Sequence, residues 1–505
     1  MAKTVNVLPF AALSVDGGSP VPLYRQLYES LREAILSGRL APGTRLASTR
    51  EVAAELGVSR NTVTNAFEQL LAEGYVESRT GSGTYVSKSL PDELLDARAR
   101  LTRRVRFERK GRGLSARGEA LAKMQFKADC PALGPARPFR LGPAMDAFPF
   151  QTWQRIVTRH WQRPQRSLMG YGDPAGYPPL REAVASYLGA ARAVRCTPEQ
   201  VIIVAGTQQA IDLVGRVLLD PGDVAWVEEY SYPAARGALA AAGARLVPVP
   251  VDEEGLNVCQ AAARAPGARL VYVSPSHQYP LGVTLSLARR LALLEWAARA
   301  GAWVLEDDYD SEFRYAGRPL AAMQGLDTGG RVIYLGTFSK VLFPSLRLGY
   351  MVVPPDMADA FTTARALVGW CSPLVDQAVL TEFIAEGHFA RHIRRMRALY
   401  AGRQAALVEA AGRELRGVLE VGPDEAGMHL LGWLPEGVDD REAARAAAQY
   451  GVQAQPLSYF AVEHNRRGAL VLGYAAHEER EIREAVGRMA AALRGVTARA
   501  RRKVC

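Results

Sequence analysis

Hydrophobic and polar residues follow two different periods along the chain, one before and one after a basic stretch over 97–113. In the first part apolar residues such as Leu23, Leu27, Leu31 and Ile35 recur every four positions, which predicts an amphipathic helix. In the second part short apolar runs alternate with helical patterns. This alternation predicts a mainly parallel α/β sheet with ligands at the C-terminal strand ends. The predicted strands are QVIIVAG, DVAWVEEY, RLVPVPV, RLVYVSPS, AWVLEDD and RVIYLGT.

Two further short helices follow the first one and are separated by only three residues. STREVAAELG has a good N-cap in Ser48 and ends at Gly57, and SRNTVTNAFEQLLAEG extends from Ser59 to Gly74. Serine before a helix and glycine after it mark the helix ends. Two helices joined by so short a connection are typical of a helix-turn-helix.

The second helix of this pair has the composition of a recognition helix. Its apolar residues are expected to face inward, which leaves polar side chains on the first turns, where such helices meet base edges and phosphates. The inward-facing residues are Val63, Phe67, Leu70 and Leu71.

A hairpin wing is predicted after this helix, from two β-rich runs over Tyr75–Ser78 and Thr84–Ser87 around a Gly-rich turn. The alternative for the whole segment is a small helical domain whose polar face is only solvated. The residues predicted to contact DNA are Arg50, Ser59, Arg60, Asn61, Thr62, Thr64 and, in the turn of the wing, Arg79.

The hydrophobic period fades between Lys88 and about Arg140. ARARLTRRVRFERKGRG holds eight Arg or Lys and one Glu, and CPALGPARPFRLGP is rich in Pro and Gly. This composition predicts a flexible or semi-rigid tether. Its basic cluster is either a solvated linker or an additional contact with DNA phosphates. The predicted domains are therefore a DNA-binding unit over 15–88, a linker over 89–140 and an α/β domain over 141–500, with a smaller C-terminal part from about 386.

Length and composition set the limits of this picture. A chain of 505 residues is too long for one core, and a net charge of +10 is compatible with a polyanionic partner. Five scattered cysteines without a C-x-x-C pair argue against a disulfide framework and against a zinc site. The N-terminus does not resemble a signal peptide, and no apolar run reaches the length of a membrane span. We therefore expect a cytoplasmic protein that has no membrane partner and no metal site.

Polar side chains appear where several predicted strands end. Gly206, Thr207 and Gln208 begin a helix, and the free amides and dipole of a helix N-terminus suit a phosphate. AWVLEDDYDSEFRY leaves its strand through acidic residues and a tyrosine, and RVIYLGTFSKVLFPSLRLGY supplies Lys340 and Arg347. An amine in an apolar pocket has a lowered pKa and becomes a nucleophile, and arginine suits a phosphate dianion.

One cofactor uses a neutral lysine amine, a carboxylate, a phenol and a phosphate cradle together, namely pyridoxal 5′-phosphate. Lys340 would form the Schiff base with its aldehyde, Asp307 would keep the pyridine nitrogen protonated, and Tyr309 would bind the phenolic oxygen of the ring. Taken singly, such residues are more often a surface lysine, a loop acid or a paired arginine, and their order on successive strands is what favours the cofactor. The other predicted contacts are Gly206, Thr207, Gln208, Thr337, Ser339 and Arg347 to the phosphate and Tyr232 to the ring face.

The two parts of the chain resemble two known families. Residues 15–88 resemble the winged helix-turn-helix of the GntR regulators, through LASTREVAAELGVSRNTVTNAFEQLLAEGYV and GSGTYV. Residues 140–500 resemble the fold type I aminotransferases, through YGDPAGYPPLREAVASYL, GTQQAIDL, PSHQYPLG, LEDDYDSEF and GTFSKVLFPSLRLGY. Their fusion resembles the MocR/GabR family of bacterial regulators. It implies a winged helix-turn-helix, mainly α with a β wing, joined to an α/β fold with a large parallel-sheet domain and a smaller C-terminal α+β domain.

The resemblance also implies individual roles. Lys340 matches the lysine that bonds to the cofactor, and Tyr309 matches the partner of its phenolic oxygen. Asp307 rather than Asp308 matches the pyridine partner, because the family pattern places that carboxylate two residues before the tyrosine. His277 and Gln278 are expected to line the cofactor pocket.

The sequence departs from the aminotransferase pattern at two positions. Tyr279 stands where many related enzymes have an asparagine that contacts the ring oxygen. Val471 stands where they have the arginine that binds the substrate carboxylate in bidentate fashion. Arg466 and Arg467 are the nearby candidates to replace that arginine. Otherwise the effector binds differently or the domain senses the cofactor itself, and the sequence leaves these alternatives open.

The function implied is that of a DNA-binding transcriptional regulator that depends on pyridoxal 5′-phosphate. Its aminotransferase-like domain would sense the cofactor, an amino acid or an amine through Schiff-base chemistry, and the shift would act on operator binding. The resemblance implies a homodimer, in which Tyr171 would reach the neighbouring site. The alternatives are an active aminotransferase with an accessory DNA-binding domain and a scaffold that no longer holds cofactor.

Overall fold

The computed structural model describes residues 15–79, 82–88, 90, 113–123, 137–163, 165–317, 320–463 and 467–504. The chain forms two compact units, Met1–Gly113 and Leu114–Cys505. Most of the predicted linker lies outside the described ranges, but Ala116–Lys123 forms a helix, which suits the alanines, glutamate and lysine of ARGEALAK. Across the described part of the chain, no helix is long and apolar enough to cross a membrane.

In the described part of the first unit, three helices precede a β-hairpin. Its elements are α1 (Leu23–Leu36), α2 (Thr49–Leu56), α3 (Arg60–Ala72), β1 (Val76–Arg79) and β2 (Gly83–Val86). The strands pair antiparallel, from Val76 opposite Val86 to Arg79 opposite Gly83. Arg79 is thus the last residue of β1 and does not lie in the turn that follows it.

The ends of α2 are set by its sequence. The Glu51 amide donates to Ser48 Oγ at 3.3 Å, and the Ser48 amide donates to Glu51 Oε2 at 2.7 Å, which makes a reciprocal capping box. Gly57 ends the helix in the left-handed conformation with φ 65°. The two ends of α2 are therefore set by Ser48 and Gly57, the residues that the sequence analysis gave as its ends.

The core of the first unit is formed by one face of each helix and by the hairpin. Val63, Phe67 and Leu70 of α3 are buried together with Leu27 of α1. Leu71 is 44% exposed, so the prediction that it faces inward was wrong. Leu70 completes the i, i+4, i+7 stripe, and the next residue is turned by about 100° away from it.

The second unit is built on a seven-stranded sheet in the order β3-β11-β10-β9-β8-β4-β5. β11 runs antiparallel to both of its neighbours, β3 and β10, and the other pairs are parallel. Every residue of β3, β8, β9, β10 and β11 is buried, as expected for a sheet covered on both faces. The strands are β3 (Val201–Val204), β4 (Val224–Glu228), β5 (Arg245–Val249), β8 (Leu270–Val273), β9 (Trp303–Asp308), β10 (Val332–Thr337) and β11 (Gly349–Val352).

Helices cover both faces of this sheet, and β6 (Val251–Asp252) and β7 (Gly255–Leu256) form a separate two-stranded sheet. Their connections return each parallel strand to the same edge, so the ends of β9 and β10 meet. With Ala116–Lys123 as α4, the helices are α5 (Phe150–Gln162), α6 (Pro178–Arg192), α7 (Thr207–Leu218), α8 (Pro233–Ala241), α9 (Val258–Arg264), α10 (Leu287–Ala300), α11 (Ala358–Gly369) and α12 (Leu374–Ala385).

The C-terminal part of the second unit has its own antiparallel sheet, in the order β12-β13-β15-β14. Long helices pack on it, and their apolar residues join the core of the large sheet through one continuous cluster. Its elements are α13 (His388–Glu414), β12 (Glu420–Val421), β13 (His429–Trp433), α14 (Asp440–Gln449), β14 (Gln455–Pro456), β15 (Ala469–Gly473) and α15 (Glu479–Val504).

Candidate functional site

A cavity of about 280 Å³ lies where β9 and β10 end and α7 begins. Most of the residues predicted to bind a cofactor line it, so the structure brings together side chains from distant parts of the sequence. The lining residues are Leu141, Gly142, Gly206, Thr207, Gln208, Tyr232, Tyr272, Ser274, Tyr279, Asp307, Tyr309, Thr337, Ser339, Lys340, Pro344, Arg347, Met428 and His429.

Lys340 follows the buried strand β10 and reaches the cavity from its floor. Burial lowers the pKa of its amine, although Asp310 and Asp307 oppose that change, and the charge of Arg140 lowers it further. Within the described ranges no carboxylate forms an ion pair with Lys340. The amine is therefore held in the environment that favours its neutral, nucleophilic form.

Asp307 lines the cavity from the end of β9. The Tyr272 hydroxyl donates to its Oδ2 at 2.6 Å, whereas Oδ1 is buried and has no hydrogen-bond partner among the described residues. Burial raises the pKa of this carboxyl to about 7, against the opposing effect of the Tyr272 hydrogen bond. Buried polar atoms in proteins are nearly always hydrogen-bonded. A protonated ring nitrogen of a ligand in the cavity would be a suitable donor to Oδ1.

Asp308 does not line the cavity. Its Oδ2 lies 2.7 Å from Arg192 Nη2 and accepts a hydrogen bond from the Tyr334 hydroxyl at 2.6 Å. Successive side chains of a strand point to opposite faces, so the two aspartates of β9 serve different purposes. Asp308 neutralises a buried arginine, and Asp307 is the carboxylate left for a ligand.

Gly206 and Arg347 form the opposite end of the cavity, next to the first turn of α7. Gly206 has φ 118°, and a Cβ atom there would lie 3.5 Å from Arg347 Nη1. Glycine thus gives both the turn and the room for the guanidinium. The first amides of a helix have no intrahelical acceptor, and together with a guanidinium they suit a phosphate. Thr337 and Ser339 add hydroxyl groups on the same side, with the Ser339 amide bound to Thr337 Oγ1 at 3.1 Å.

An aromatic wall closes the cavity. Tyr279 makes edge contacts with Tyr309, His429 and Phe460, with ring centroids 5.6, 5.5 and 5.2 Å apart, and it approaches Tyr232 at 6.3 Å. Burial lowers the pKa of His429 to about 3, so this histidine is neutral. The residue that replaces an asparagine therefore packs as an aromatic ring.

His277 and Gln278 lie behind this wall and do not line the cavity. The Gln278 side chain donates to Glu228 Oε2 at 3.1 Å and to the Tyr230 carbonyl at 2.6 Å, which fixes the loop that contains the cis bond between Tyr279 and Pro280. His277 contacts Tyr309 from the far side, with Nδ1 2.9 Å from the hydroxyl. Gln278 supports the site from outside the first layer of contacts.

Several lining residues were not singled out from the sequence. Tyr272 lies inside the strand run RLVYVSPS, and His429 inside an apolar strand of the C-terminal part, so their patterns indicated only buried strands. Leu141 and Gly142 follow Arg140 in a stretch interpreted as the end of the linker. Its FRLGP motif, with glycine and proline after an arginine, was the signal available.

The candidates for the missing carboxylate-binding arginine are not in the cavity. Val471 is buried in β15. Arg467 donates to the Leu434 carbonyl at 2.9 Å, pairs with Glu420 at 3.1 Å and stacks over Trp433. Arg466 lies outside the described residues.

The predicted DNA contacts lie mostly on the exposed side of α2 and α3. Ser59 caps α3 by accepting the Thr62 amide at 3.1 Å, so both residues also have a structural role. Arg60 Nε lies 3.4 Å from Thr49 Oγ1, which directs the guanidinium toward the first residue of α2. Arg50, Ser59, Arg60, Asn61 and Arg79 are exposed, and Thr62 and Thr64 are half-buried.

The wing carries a second arginine that the sequence pattern did not indicate. Arg45 forms a β-bridge with Tyr85, which adds a third short extended segment to the hairpin. A Cβ on Gly83 would lie 3.0 Å from Arg45 Nε, so the guanidinium lies over the wing. Arg79 pairs with Glu77 at 2.5 Å and stacks over Tyr85 at 4.5 Å. Arg45 belongs among the candidate DNA contacts.

Two family models match the chain. Residues 23–86 match the gntR family of bacterial regulatory proteins, and residues 146–489 match the aminotransferases of class I and II. These matches confirm the predicted order of the two parts and the predicted fold class.

Similar proteins extend over almost the whole chain. The probable rhizopine catabolism regulatory protein MocR of Rhizobium meliloti is 44% identical over 95% of this chain and 96% of its own length. The transcriptional regulator TauR of Rhodobacter capsulatus is 34% identical over 96% of this chain and all of its own length, 100%. The α-aminoadipate aminotransferase LysN of Thermus thermophilus, solved with N-(5′-phosphopyridoxyl)-L-leucine, has a TM-score of 0.66 at 30% identity and covers 76% of this chain and 96% of its own.

Proposed function

This chain belongs to the MocR-type transcriptional regulators, in which a gntR-family domain precedes an aminotransferase domain, and we propose how its own residues carry that function. The first unit binds double-stranded DNA, and the second binds pyridoxal 5′-phosphate together with a small effector. Effector binding in the second unit alters the affinity of the first unit for its operator. The two binding sites are thus linked by a coupling free energy. The observation that carries the proposal is the cavity in which Lys340, Asp307 and Arg347 converge.

The residues of the cavity fit the cofactor at each of its polar groups. Lys340 would bond to the aldehyde, the free Oδ1 of Asp307 would accept from the protonated ring nitrogen, and Tyr309 would donate to the ring oxygen. When bound, the cofactor supplies an electron sink for amino compounds. The proposed phosphate contacts are Gly206, Thr207, Gln208, Thr337, Ser339 and Arg347, with Tyr232 against the ring.

The proposed DNA contacts come from the start of α3 and from the wing. Arg60 and Asn61 are exposed on the first turn of α3, where a recognition helix meets bases and phosphates. Arg45 and Arg79 lie over the wing and would contact the backbone. Arg50, Ser59, Thr62 and Thr64 complete the proposed surface.

The proposed effector is an amino compound with a carboxylate, recognised by Arg140. This residue is half-buried and directly precedes Leu141 and Gly142, which line the cavity. Burial of Lys340 is the main cause that lowers the pKa of its amine, and the charge of Arg140 lowers it further. No carboxylate in the described ranges pairs with its guanidinium. Arg140 would thus provide the cation that Val471 does not. The residue before it, Phe139, is bridged to Gly473 at the end of β15.

We further propose a homodimer. Tyr171 is 93% exposed and contacts the Trp370 ring at 6.1 Å, and Leu367 is 85% exposed. Exposed apolar residues that lie together are typical of an interaction surface. Tyr171 would then reach the partner's site. Sedimentation of the wild-type chain and of Leu367→Glu tests this, with a monomer expected for the variant. A monomeric wild type would contradict it.

Titration of the purified protein with pyridoxal 5′-phosphate, followed by a panel of amino acids and amines, tests the function as a whole. The absorbance of the bound cofactor and a DNA mobility shift are measured on the same samples. We expect an absorbance band that is absent in Lys340→Ala, and an effector that changes both the band and the mobility shift. Multiple turnover with a keto acid would identify an active aminotransferase instead. Failure to take up cofactor would identify a scaffold.

A further inference from the structure

His277 lies where the large sheet and the C-terminal part of the second unit meet. Its Nδ1 is 3.0 Å from Asp310 Oδ2 and 2.9 Å from the Tyr309 hydroxyl, and its Nε2 is 3.6 Å from Asp424 Oδ2. Asp310 and Tyr309 follow β9, whereas Asp424 precedes β13. One buried imidazole therefore connects the wall of the cavity with the C-terminal part.

Carboxyl groups face both ring nitrogens of His277, an arrangement that favours the cationic imidazole. Burial alone would lower its pKa, but the carboxylates of Asp310 and Asp424 outweigh burial and raise it to about 10. Burial opposes ionisation of Asp424 as well, yet the charge of His277, with Nε2 3.6 Å from Oδ2, lowers the pKa of that carboxyl. The other ionisable groups around it are His429, which burial keeps neutral, and Tyr309. Burial raises the pKa of the Asp310 carboxyl, against the charge and hydrogen bond of His277. The two facing carboxyl groups favour the form of His277 in which both ring nitrogens carry a proton.

The charge of His277 fixes the direction of the Tyr309 hydroxyl. Nδ1 lies between the Tyr309 hydroxyl at 2.9 Å and Asp310 Oδ2 at 3.0 Å, and the carboxylate favours a proton on it. A protonated Nδ1 has no lone pair, so the Tyr309 hydroxyl cannot donate to it. The hydroxyl proton of Tyr309 must then point elsewhere, and Tyr309 lines the cavity. The proton is therefore available to a ligand in the cavity.

Two glycines shape the space around this group. Gly427 has φ 96°, and a Cβ there would overlap the His277 ring; Gly282 has φ 80°, and a Cβ there would overlap Asp424 Oδ2. The Gly427 carbonyl also accepts a hydrogen bond from the Tyr474 hydroxyl at 2.8 Å. The loop that carries Asp424 is thus held against His277 through close backbone contact.

We propose that His277 is a positioning residue, which sets Tyr309 as a hydrogen-bond donor to the ring oxygen of the cofactor and makes this setting depend on the position of the Asp424 loop. The inference rests on the proposed cofactor site. It assigns to this chain a support for the ring oxygen in place of the asparagine that Tyr279 replaces. Movement of the C-terminal part, which carries Asp424, thereby changes the electrostatics at the cofactor.

The test compares His277→Gln and Asp424→Asn with Glu425→Gln, which alters the same loop but removes only the ion pair with Arg314. The absorbance of the bound cofactor is titrated against pH. A donor and a nearby positive charge favour the deprotonated ring oxygen, so the midpoint should rise by about one pH unit in His277→Gln. Asp424→Asn should shift it by less, because loss of this carboxylate weakens the support of the His277 charge but also removes a negative charge. Glu425→Gln should keep the wild-type midpoint.

The inference is overturned if His277→Gln and Asp424→Asn both titrate like wild type while cofactor is bound. If His277→Gln does not fold, the shift in Asp424→Asn relative to Glu425→Gln decides alone. Melting temperatures of the cofactor-free proteins give a second readout, in which Asp424→Asn should be less stable than Glu425→Gln. Wild-type protein that takes up no cofactor would overturn the proposed cofactor site together with this inference.

Discussion

Asp307 and Asp308 are adjacent on β9, yet their carboxylates meet different partners. Asp307 lines the cavity and receives the Tyr272 hydroxyl at 2.6 Å, whereas Asp308 lies 2.7 Å from the Arg192 guanidinium. Because neighbouring side chains of a strand point to opposite faces, one carboxylate is left for a ligand and the other neutralises a buried charge. Asp307 is therefore expected to contribute to ligand binding, and Asp308 to the stability of the fold.

Asparagine substitutions at these two positions should have opposite effects. Asp307→Asn should weaken cofactor binding and leave the cofactor-free protein as stable as wild type or more so, because it removes a buried carboxyl whose pKa is raised. Asp308→Asn should destabilise the fold by about 3–5 kcal/mol, because Arg192 would lose its counter-charge. Cofactor titration and urea unfolding measure the two effects. Equal cofactor affinity in Asp307→Asn and wild type would contradict the assignment.

Arg347 should contribute to phosphate binding more than any arginine outside the cavity. Arg347→Ala should weaken cofactor binding by about 1.5–3 kcal/mol, the usual contribution of a hydrogen bond to a charged group. Arg467→Ala is the matched control, since that side chain pairs with Glu420 away from the cavity. Equilibrium dialysis with the cofactor measures both. Similar losses in the two variants would show that the phosphate lies elsewhere.

Arg140 should matter for the effector and not for the cofactor. Arg140→Ala should leave the cofactor band in place but weaken the spectral response to carboxylate-bearing amino compounds by about tenfold, the effect of about 1.4 kcal/mol. The response to amines without a carboxylate should be unchanged, because they have no group for the guanidinium to bind. A loss that is equal for both ligand classes would contradict the proposal.

Much of this architecture could be predicted from local sequence patterns, because helix ends and buried strands depend on interactions between residues close in the sequence. Ser48 and Gly57 mark the ends of α2, and the alternation of apolar runs with helical patterns indicated a mainly parallel sheet. The antiparallel strand β11 was missed because Gly349–Val352 is short and follows a functional motif. Long-range geometry carries no such signal. Nothing near His277 or Asp424 in the sequence indicates that the two meet.

Replacing the arginines of the wing and of the start of α3 should weaken operator binding, because each replacement removes a contact with a DNA phosphate. Arg60→Ala, Arg79→Ala and Arg45→Ala should each lower the slope of log affinity against log salt by about one while cofactor stays bound. Arg299→Ala, an exposed arginine of the second unit, is the control. If none of the three variants alters the salt slope, the assigned surface is wrong.

Glu77→Gln should have the opposite effect on DNA binding. Glu77 pairs with Arg79 at 2.5 Å and neutralises part of the positive charge of the wing. Its removal frees the guanidinium for a phosphate and takes away a negative charge that repels one, so affinity should increase at low salt. Mobility shifts at two salt concentrations measure this. Unchanged affinity at low salt would place the wing away from the DNA backbone.

The stability that His277 contributes should depend on pH with a defined sign. Its pKa is raised from 6.5 to about 10 in the folded state, so the folded protein binds a proton that the unfolded chain releases earlier. The contribution is thus complete below about pH 6.5 and is lost as pH rises toward 10. The free energy of unfolding of wild type minus that of His277→Gln should fall over this range by at least about 1.4 kcal/mol, the equivalent of one pKa unit. Urea unfolding between pH 6 and pH 10 measures the difference. A difference that stays constant or grows with pH would mean that the folded state does not hold the imidazole as a cation, and a charged His277 would then not act on the cofactor.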